Sequence, residues 1–224
     1  MSTILDHRLH AAPTLGGTPL VIVFSGPSGA GKSTLIDHVA AGLGGGARLH
    51  FDHYITLGND IGVIRDWLAD GAPPDAITAP GLARDIAELV AGRPIPACDG
   101  RPEVQPHAVV LVEEPFGRAR REMASLAGLA VHIDVPADVA LARRLLRAVE
   151  AGGDDHAALV GDVGGQLRAF LAVGREAYAA ADRVARAAAD VTLDGLLPVE
   201  ALAERLLAQI RHRRGEDGNT GDRA

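Results

Sequence analysis

Residues 26–34 read GPSGAGKST, follow the apolar run PLVIVFS, and hold Lys32, the only lysine among 22 Lys+Arg. Every other cation is an arginine. Such a bias, broken at one position, marks a place that needs a compact ammonium on a flexible stem rather than a planar guanidinium. Gly26, Gly31, Lys32 and Ser33 fit the pattern G-x-x-x-x-G-K-[ST], and the junction from apolar strand to helical pattern is the context that motif requires. Glycines at 26, 29 and 31 let successive N–H groups turn inward, and the helix start adds its positive dipole end. Gly26, Gly29, Ala30, Gly31, Lys32, Ser33 and Thr34 are therefore expected to cradle phosphate oxygens. Pro27 has no N–H, so the amides from Gly29 to Thr34 carry the cradle. Lys32 would contact the β- and γ-phosphates, and Ser33 would complete the shell of a Mg²⁺ ion.

Outward from this loop, Leu20 to Phe24, Ala47 to Phe51, Ala108 to Val112, Ala130 to Val135 and Val191 to Leu193 read as buried strands. Helical patterns lie between them: Thr34 to Gly42, Asp60 to Asp70, Pro80 to Ala91 with Pro80 at a first helical position, Arg118 to Leu126, Pro136 to Glu150, His156 to Ala189 and Pro198 to Arg213. Alternation at this spacing predicts an α/β fold, a parallel sheet covered by helices on both faces. One α/β domain is expected over residues 19–211, between an N-terminal extension at 1–18 and a polar, glycine-rich tail at 212–224 expected to be disordered. The proline-rich segment 92–107 reads as a loop or short hairpin leading to the third strand.

The chain has 224 residues, 47% of them hydrophobic, enough for one substantial core. A net charge of -7 opposes broad capture of nucleic acid or an anionic membrane. The single cysteine, Cys98, excludes an internal disulfide, and no apolar run reaches membrane-spanning length. A cytoplasmic protein without nucleic-acid or membrane partners is expected; a homo-oligomer is left open.

Acids mark two further strand ends. Asp52 ends the second strand in RLHFDHYI, and Glu113 and Glu114 end the third in VVLVEEPF. Ligands of open α/β sheets sit beyond such ends. One carboxylate there can take the proton of an acceptor hydroxyl while another supports Mg²⁺. On a later helix, Arg143, Arg144 and Arg147 fall three and four apart, so all three are expected near one face, where guanidiniums can stabilise a transferring phosphoryl group. Tyr54 and Trp67 are candidates to stack on an acceptor, with core packing as the alternative. His50 and His53 are expected to point to opposite faces, and no zinc spacing appears among the nine histidines.

Together GPSGAGKST, the Asp52-His53-Tyr54 stretch, VVLVEEPF, HIDVPADVALARRLLRAV and AADVTLD resemble, in the same order over about residues 19–210, the uridine kinase-like branch of P-loop phosphotransferases. The resemblance implies a P-loop NTPase fold with a five-stranded parallel sheet and a helical lid, and the use of ATP and Mg²⁺. It makes Asp52 the general base and Glu113 the metal-associated acid, with Lys32, Arg144 and Arg147 catalytic. It also places Tyr54, Asp99 and Gln166 near the acceptor. The segment PACDGRPEVQPH is shorter than in uridine kinases, with Cys98 where they carry tyrosine. EAGGDDHAA stands where they carry further lid arginines. The implied activity is transfer of the γ-phosphoryl group to a hydroxyl of a small molecule, nucleosides first and a sugar, vitamin precursor or specialised metabolite as alternatives. A regulatory GTPase or ATPase switch is the rival. The single lysine rules out Asn-Lys-x-Asp, and Asp162 to Gly165 follows no strand.

Overall fold

Along β1 (Leu20–Ser25), Ile22 and Phe24 enter one apolar cluster while Val21 and Val23 enter another. A strand buried on both faces must divide its side chains this way, because successive residues point to opposite sides. β3 (Val109–Glu113) repeats the division, with Val109 and Leu111 on the first face and Val110 and Val112 on the second. β4 (Leu129–Asp134) sends Leu129, Val131 and Ile133 to the first face. With β2 (Ala47–His50) and β5 (Val191–Asp194) these form a five-stranded sheet, parallel throughout, in the order β2-β3-β1-β4-β5. The order reverses at β1, which places the glycine loop at the switch point of the sheet. This computed structural model describes residues 18–55, 60–97, 102–152 and 155–214.

The first face is covered by α1 (Lys32–Gly42) and α8 (Val199–Arg214), whose Leu35, Ile36 and Val39 meet Leu202, Leu206 and Ile210 in one cluster. The second face carries α2 (Ile61–Ala69), α3 (Leu82–Val90), the short α4 (Arg121–Ala124) and α7 (Arg175–Ala187). Their Trp67, Ile86, Leu89, Met123 and Ala180 close that side. α5 (Ala137–Ala151) and α6 (His156–Ala169) pack on each other beyond β4. Among the described residues no helix is long and apolar enough to cross a membrane.

All five expected strands are present, and four details differ. The long helix expected over 156–189 is α6, a π-helical turn at Phe170–Gly174, and α7. Pro80 lies outside α3, because Gly81 caps that helix from a left-handed conformation, φ 102. Only a 3-10 turn at Gly117–Ala119 and the four-residue α4 occupy 118–126. α8 runs to Arg214, past the expected start of the tail, and the rest of both termini lies outside the described residues. The proline-rich segment is pinned as a hairpin by reciprocal bonds between Ile95 and Val104, N–H to C=O at 2.9 and 3.0 Å.

Gly29 shows how tightly the loop is built. It adopts φ +95, and a Cβ there would lie 2.1 Å from the Ala140 carbonyl oxygen at the start of α5. Gly31 has φ +92 but open space where its Cβ would be. Gly29→Ala should therefore cost about 2 kcal/mol or more in urea unfolding, against about 1 kcal/mol for Gly31→Ala, which carries only backbone strain.

Candidate active site

Parallel register brings the strand-end groups together. Glu113 closes β3 and pairs laterally with His50 of β2 and Phe24 of β1, so its side chain emerges beside the glycine loop. There Ser33 Oγ donates to Glu113 Oε2 at 2.9 Å, and Lys32 Nζ stands 3.4 Å from Oε1. His50 Nδ1 lies 3.1 Å from Oε2. Lys32 also donates to the carbonyls of Gly26 and Pro27, at 3.0 and 3.1 Å.

Charge states follow from these contacts. Burial alone would raise the Glu113 carboxyl, but the His50 ring, the Lys32 ammonium and the Ser33 hydroxyl hold it at about 2. The bond to Glu113 raises His50, and burial lowers Lys32 against the pull of Glu113. Glu114 points the other way and is fully buried. Its Oε2 meets Arg120 at 3.1 Å, while burial pushes its carboxyl up to about 7. Of the two adjacent acids, only Glu113 faces the loop.

Two cavities meet at this cluster. A cleft of about 580 Å³ is walled by Phe51, Ile64, Trp67, Phe116, Ala177 and Tyr178. A polar hollow of about 160 Å³ is formed by Gly29, Gly31, Ser33, Thr34 and Arg147. Ser28, Lys32, Asp52 and Glu113 line both. Asp52 is exposed and sits past the end of β2, in the 3-10 turn Phe51–His53 rather than in the strand.

Several expected residues fall elsewhere. Ala30 gives its N–H to the Pro27 carbonyl at 3.0 Å and buries its methyl in the core, so its amide is not available to a phosphate. Arg143 turns from the common face and donates to the Gly195 carbonyl at 3.0 Å, leaving Arg147 at the hollow. Arg144 is held on α7, donating to Tyr178 Oη at 2.7 Å with its guanidinium 5.3 Å from that ring and 5.8 Å from Phe170. Phe170, the first residue of the π-helical turn Phe170–Gly174, stacks its ring on that of Tyr178. Tyr54 is a core residue whose hydroxyl donates to the buried Asp85 at 3.0 Å, outside the cleft. Gln166 bonds Asp162 on its own helix and borders a separate cavity. Asp99 and Cys98 lie outside the described residues.

His50 and His53 do not diverge as expected, because the turn after β2 brings their rings edge to face at 5.5 Å. Sequence reasoning missed His50 as a partner of Glu113. Its signal was position: it is the last residue of the strand beside β3. Trp67 lines the cleft and packs edge-on against Phe116 at 6.0 Å, with its indole N–H donated to the Pro73 carbonyl.

A P-loop at the switch point of a β2-β3-β1-β4-β5 sheet, with acids at neighbouring strand ends, defines a P-loop phosphotransferase, the class of ATP-dependent small-molecule kinases. The chain is 32% identical over 147 residues, 60% of its length and 71% of the relative's, to a uridine kinase of Deinococcus deserti. It belongs to the uridine kinase family. No protein-family model matches it. A possible uridine kinase from Bacillus stearothermophilus aligns with a TM-score of 0.49 at 17% identity, covering 81% of this chain and 92% of its own. A shikimate kinase from Acinetobacter baumannii aligns with a TM-score of 0.48 at 20% identity, covering 88% and 95%.

The Glu113 cluster should be visible in stability. Its folded pKa lies below the ordinary 4.5, so its contribution is complete above that value and disappears as pH falls towards about 2. His50, raised from 6.5, runs the opposite way and loses its contribution as pH rises through its folded pKa. Unfolding free energies from urea titrations between about pH 5.5 and about pH 3 should fall more steeply for wild type than for Glu113→Gln, by about 2 kcal/mol across the range. Parallel curves would show that the cluster does not stabilise the fold.

Proposed function

We propose that the protein transfers the γ-phosphoryl group of ATP to a hydroxyl of a nucleoside-like acceptor. One observation carries this reading: Lys32, Asp52 and Glu113 line the polar hollow at the loop and also the largely apolar cleft beside it. An acceptor in the cleft and a triphosphate on the loop would share these three side chains. Uridine and cytidine come first through the family relationship. A cytoplasmic setting accords with this reading.

In this mechanism the amides of Gly29, Gly31, Lys32, Ser33 and Thr34 receive the phosphates, and Lys32 exchanges its loop carbonyls for phosphate oxygens. Arg147 adds positive charge over the transferring group. The acceptor hydroxyl lies against Asp52, which takes its proton as the new O–P bond forms and the bond to ADP breaks. Ser33 and Glu113 are hard oxygen donors 2.9 Å apart, a set that fits Mg²⁺ once phosphate oxygens join it. When bound there, Mg²⁺ supplies neutralisation of phosphate charge. Tyr54 and Gln166 take no part.

The test is ADP release from Mg·ATP with uridine, cytidine, other nucleosides, sugars and vitamin precursors, each against a blank without acceptor, with product mass read for every hit. Stimulation by a nucleoside with the gain of one phosphoryl mass is expected. Hydrolysis indifferent to every acceptor would favour a nucleotide-driven switch. Asp52→Asn should keep ATP affinity within about twofold yet lose about a hundredfold or more in kcat. Lys32→Ala should weaken triphosphate use itself, about a hundredfold in kcat/KM for ATP. Normal turnover by Asp52→Asn would remove that residue as the base.

A further inference from the structure

β4 reads LAVHID, and its second-face position His132 is a histidine with no solvent exposure, in a strand otherwise apolar to its last residue. A fully buried imidazole needs partners for both nitrogens. Nδ1 lies 3.2 Å from Ser25 Oγ, at the end of the strand that feeds the glycine loop. Nε2 makes no hydrogen bond, yet stands 3.3 Å from Oδ1 of Asp182 on α7. Asp182 in turn lines the cleft, and its side chain keeps 29% of its surface.

The cleft lining holds three carboxylates, Asp52, Glu113 and Asp182, against one ammonium, Lys32. Asp52 and Glu113 also border the phosphate hollow; Asp182 does not. Glu113 is already engaged by Lys32, Ser33 and His50. Asp182 is the cleft acid outside the phosphate hollow, in close contact with the buried His132 through one oxygen; it shares the cleft with Phe51, Trp67, Phe116 and Tyr178, and also borders a second cavity of about 320 Å³ with Arg144 and Arg175. An aromatic wall receives a flat apolar body. A carboxylate fixed within it accepts from a hydroxyl or an ammonium and repels another carboxylate.

We infer that Asp182 is a specificity residue of the acceptor cleft, selecting acceptors that carry, beside the phosphorylated hydroxyl, an apolar ring and a second hydrogen-bond donor, and rejecting carboxylated ones. This rests on the kinase reading for what happens to the hydroxyl, but not for the binding.

Four probes share one ring and a benzylic hydroxyl and differ in the second group: 1-phenylethanol has none, phenylethylene glycol a hydroxyl, 2-amino-1-phenylethanol (phenylethanolamine) an ammonium, and mandelate a carboxylate. Their affinities for the full chain are measured by ligand-observed NMR, with and without a nonhydrolysable ATP analogue and Mg²⁺. The glycol or the ethanolamine should bind about tenfold tighter than 1-phenylethanol and mandelate, and whichever leads identifies the donor as hydroxyl or ammonium. Asp182→Asn, of the same shape but uncharged, should erase that advantage, leave 1-phenylethanol unchanged and narrow the handicap of mandelate. Asp182→Ser serves if the first variant does not fold, and the wild-type ranking decides if neither does. Mandelate binding as well as the others, variants that shift all four probes equally or not at all, or no binding by any probe would each overturn the assignment. Failure of the ATP analogue to bind, with probe selectivity intact, would count against the kinase reading alone.

Discussion

Glu113 is the constraint around which the site is arranged. Its carboxylate is shared by Lys32, Ser33 and His50, groups from the loop-helix junction and from the neighbouring strand. A partly buried carboxylate is costly unless its oxygens are satisfied, and these partners more than offset that cost, which is why its pKa falls to about 2 rather than rising. The same arrangement fixes what the loop can receive. Lys32 is folded back on the carbonyls of Gly26 and Pro27, beside an acid, in the position its ammonium would leave for an incoming phosphate. The adjacent Glu114 shows the contrast: one residue further along the chain, it points to the opposite side and serves the buried Arg120.

What could be read from sequence divides along the same line. Phosphate recognition uses backbone amides, and the chain encodes these through glycine spacing within nine residues, so the loop, its strand and its helix were legible. The β-strands were legible because residues buried on both faces leave continuous apolar runs. Contacts between side chains distant in sequence were not. Tyr54 and Asp85 are separated by 31 positions, Ser33 and Glu113 by 80, and Arg144 and Tyr178 by 34. Each of those pairings is decided by how helices lie on the sheet. Helical periodicity placed Arg143 and Arg147 on one face, yet Arg143 is claimed by the carbonyl of Gly195 after β5. His132 lies in a run that reads as a buried strand, but its neighbours, Ser25 at 107 positions' distance and Asp182 on α7, are set by packing between elements.

The two ends of the site therefore differ in how they are built. The glycine loop is short-range, made of backbone, and common to P-loop proteins; Asp52, Glu113 and Arg147 join its hollow from elsewhere in the chain. The cleft, which the proposed mechanism gives to the acceptor, draws Phe51 from the turn after β2, Trp67 from α2, Phe116 from the loop after β3, and Tyr178 and Asp182 from α7. Membership of the uridine kinase family thus transfers the chemistry of the loop more securely than the identity of the acceptor, because each of those wall elements can change without disturbing the glycine cradle.

Tyr178 joins the two ends. Its ring walls the cleft, and the same ring, with its hydroxyl, holds the guanidinium of Arg144. A side chain so placed cannot serve a phosphoryl group while it stays there. Moving Arg144 towards the loop would give up a cation–π contact and a charge-assisted hydrogen bond, interactions worth about 1 kcal/mol or more each when partly desolvated. The negative charge of a bound triphosphate is the kind of partner that could compensate for that loss. Release of Tyr178 would at the same time free a hydroxyl on the cleft wall. The position of Arg144 on α5 and the availability of the Tyr178 hydroxyl on the cleft wall are then two consequences of a single contact.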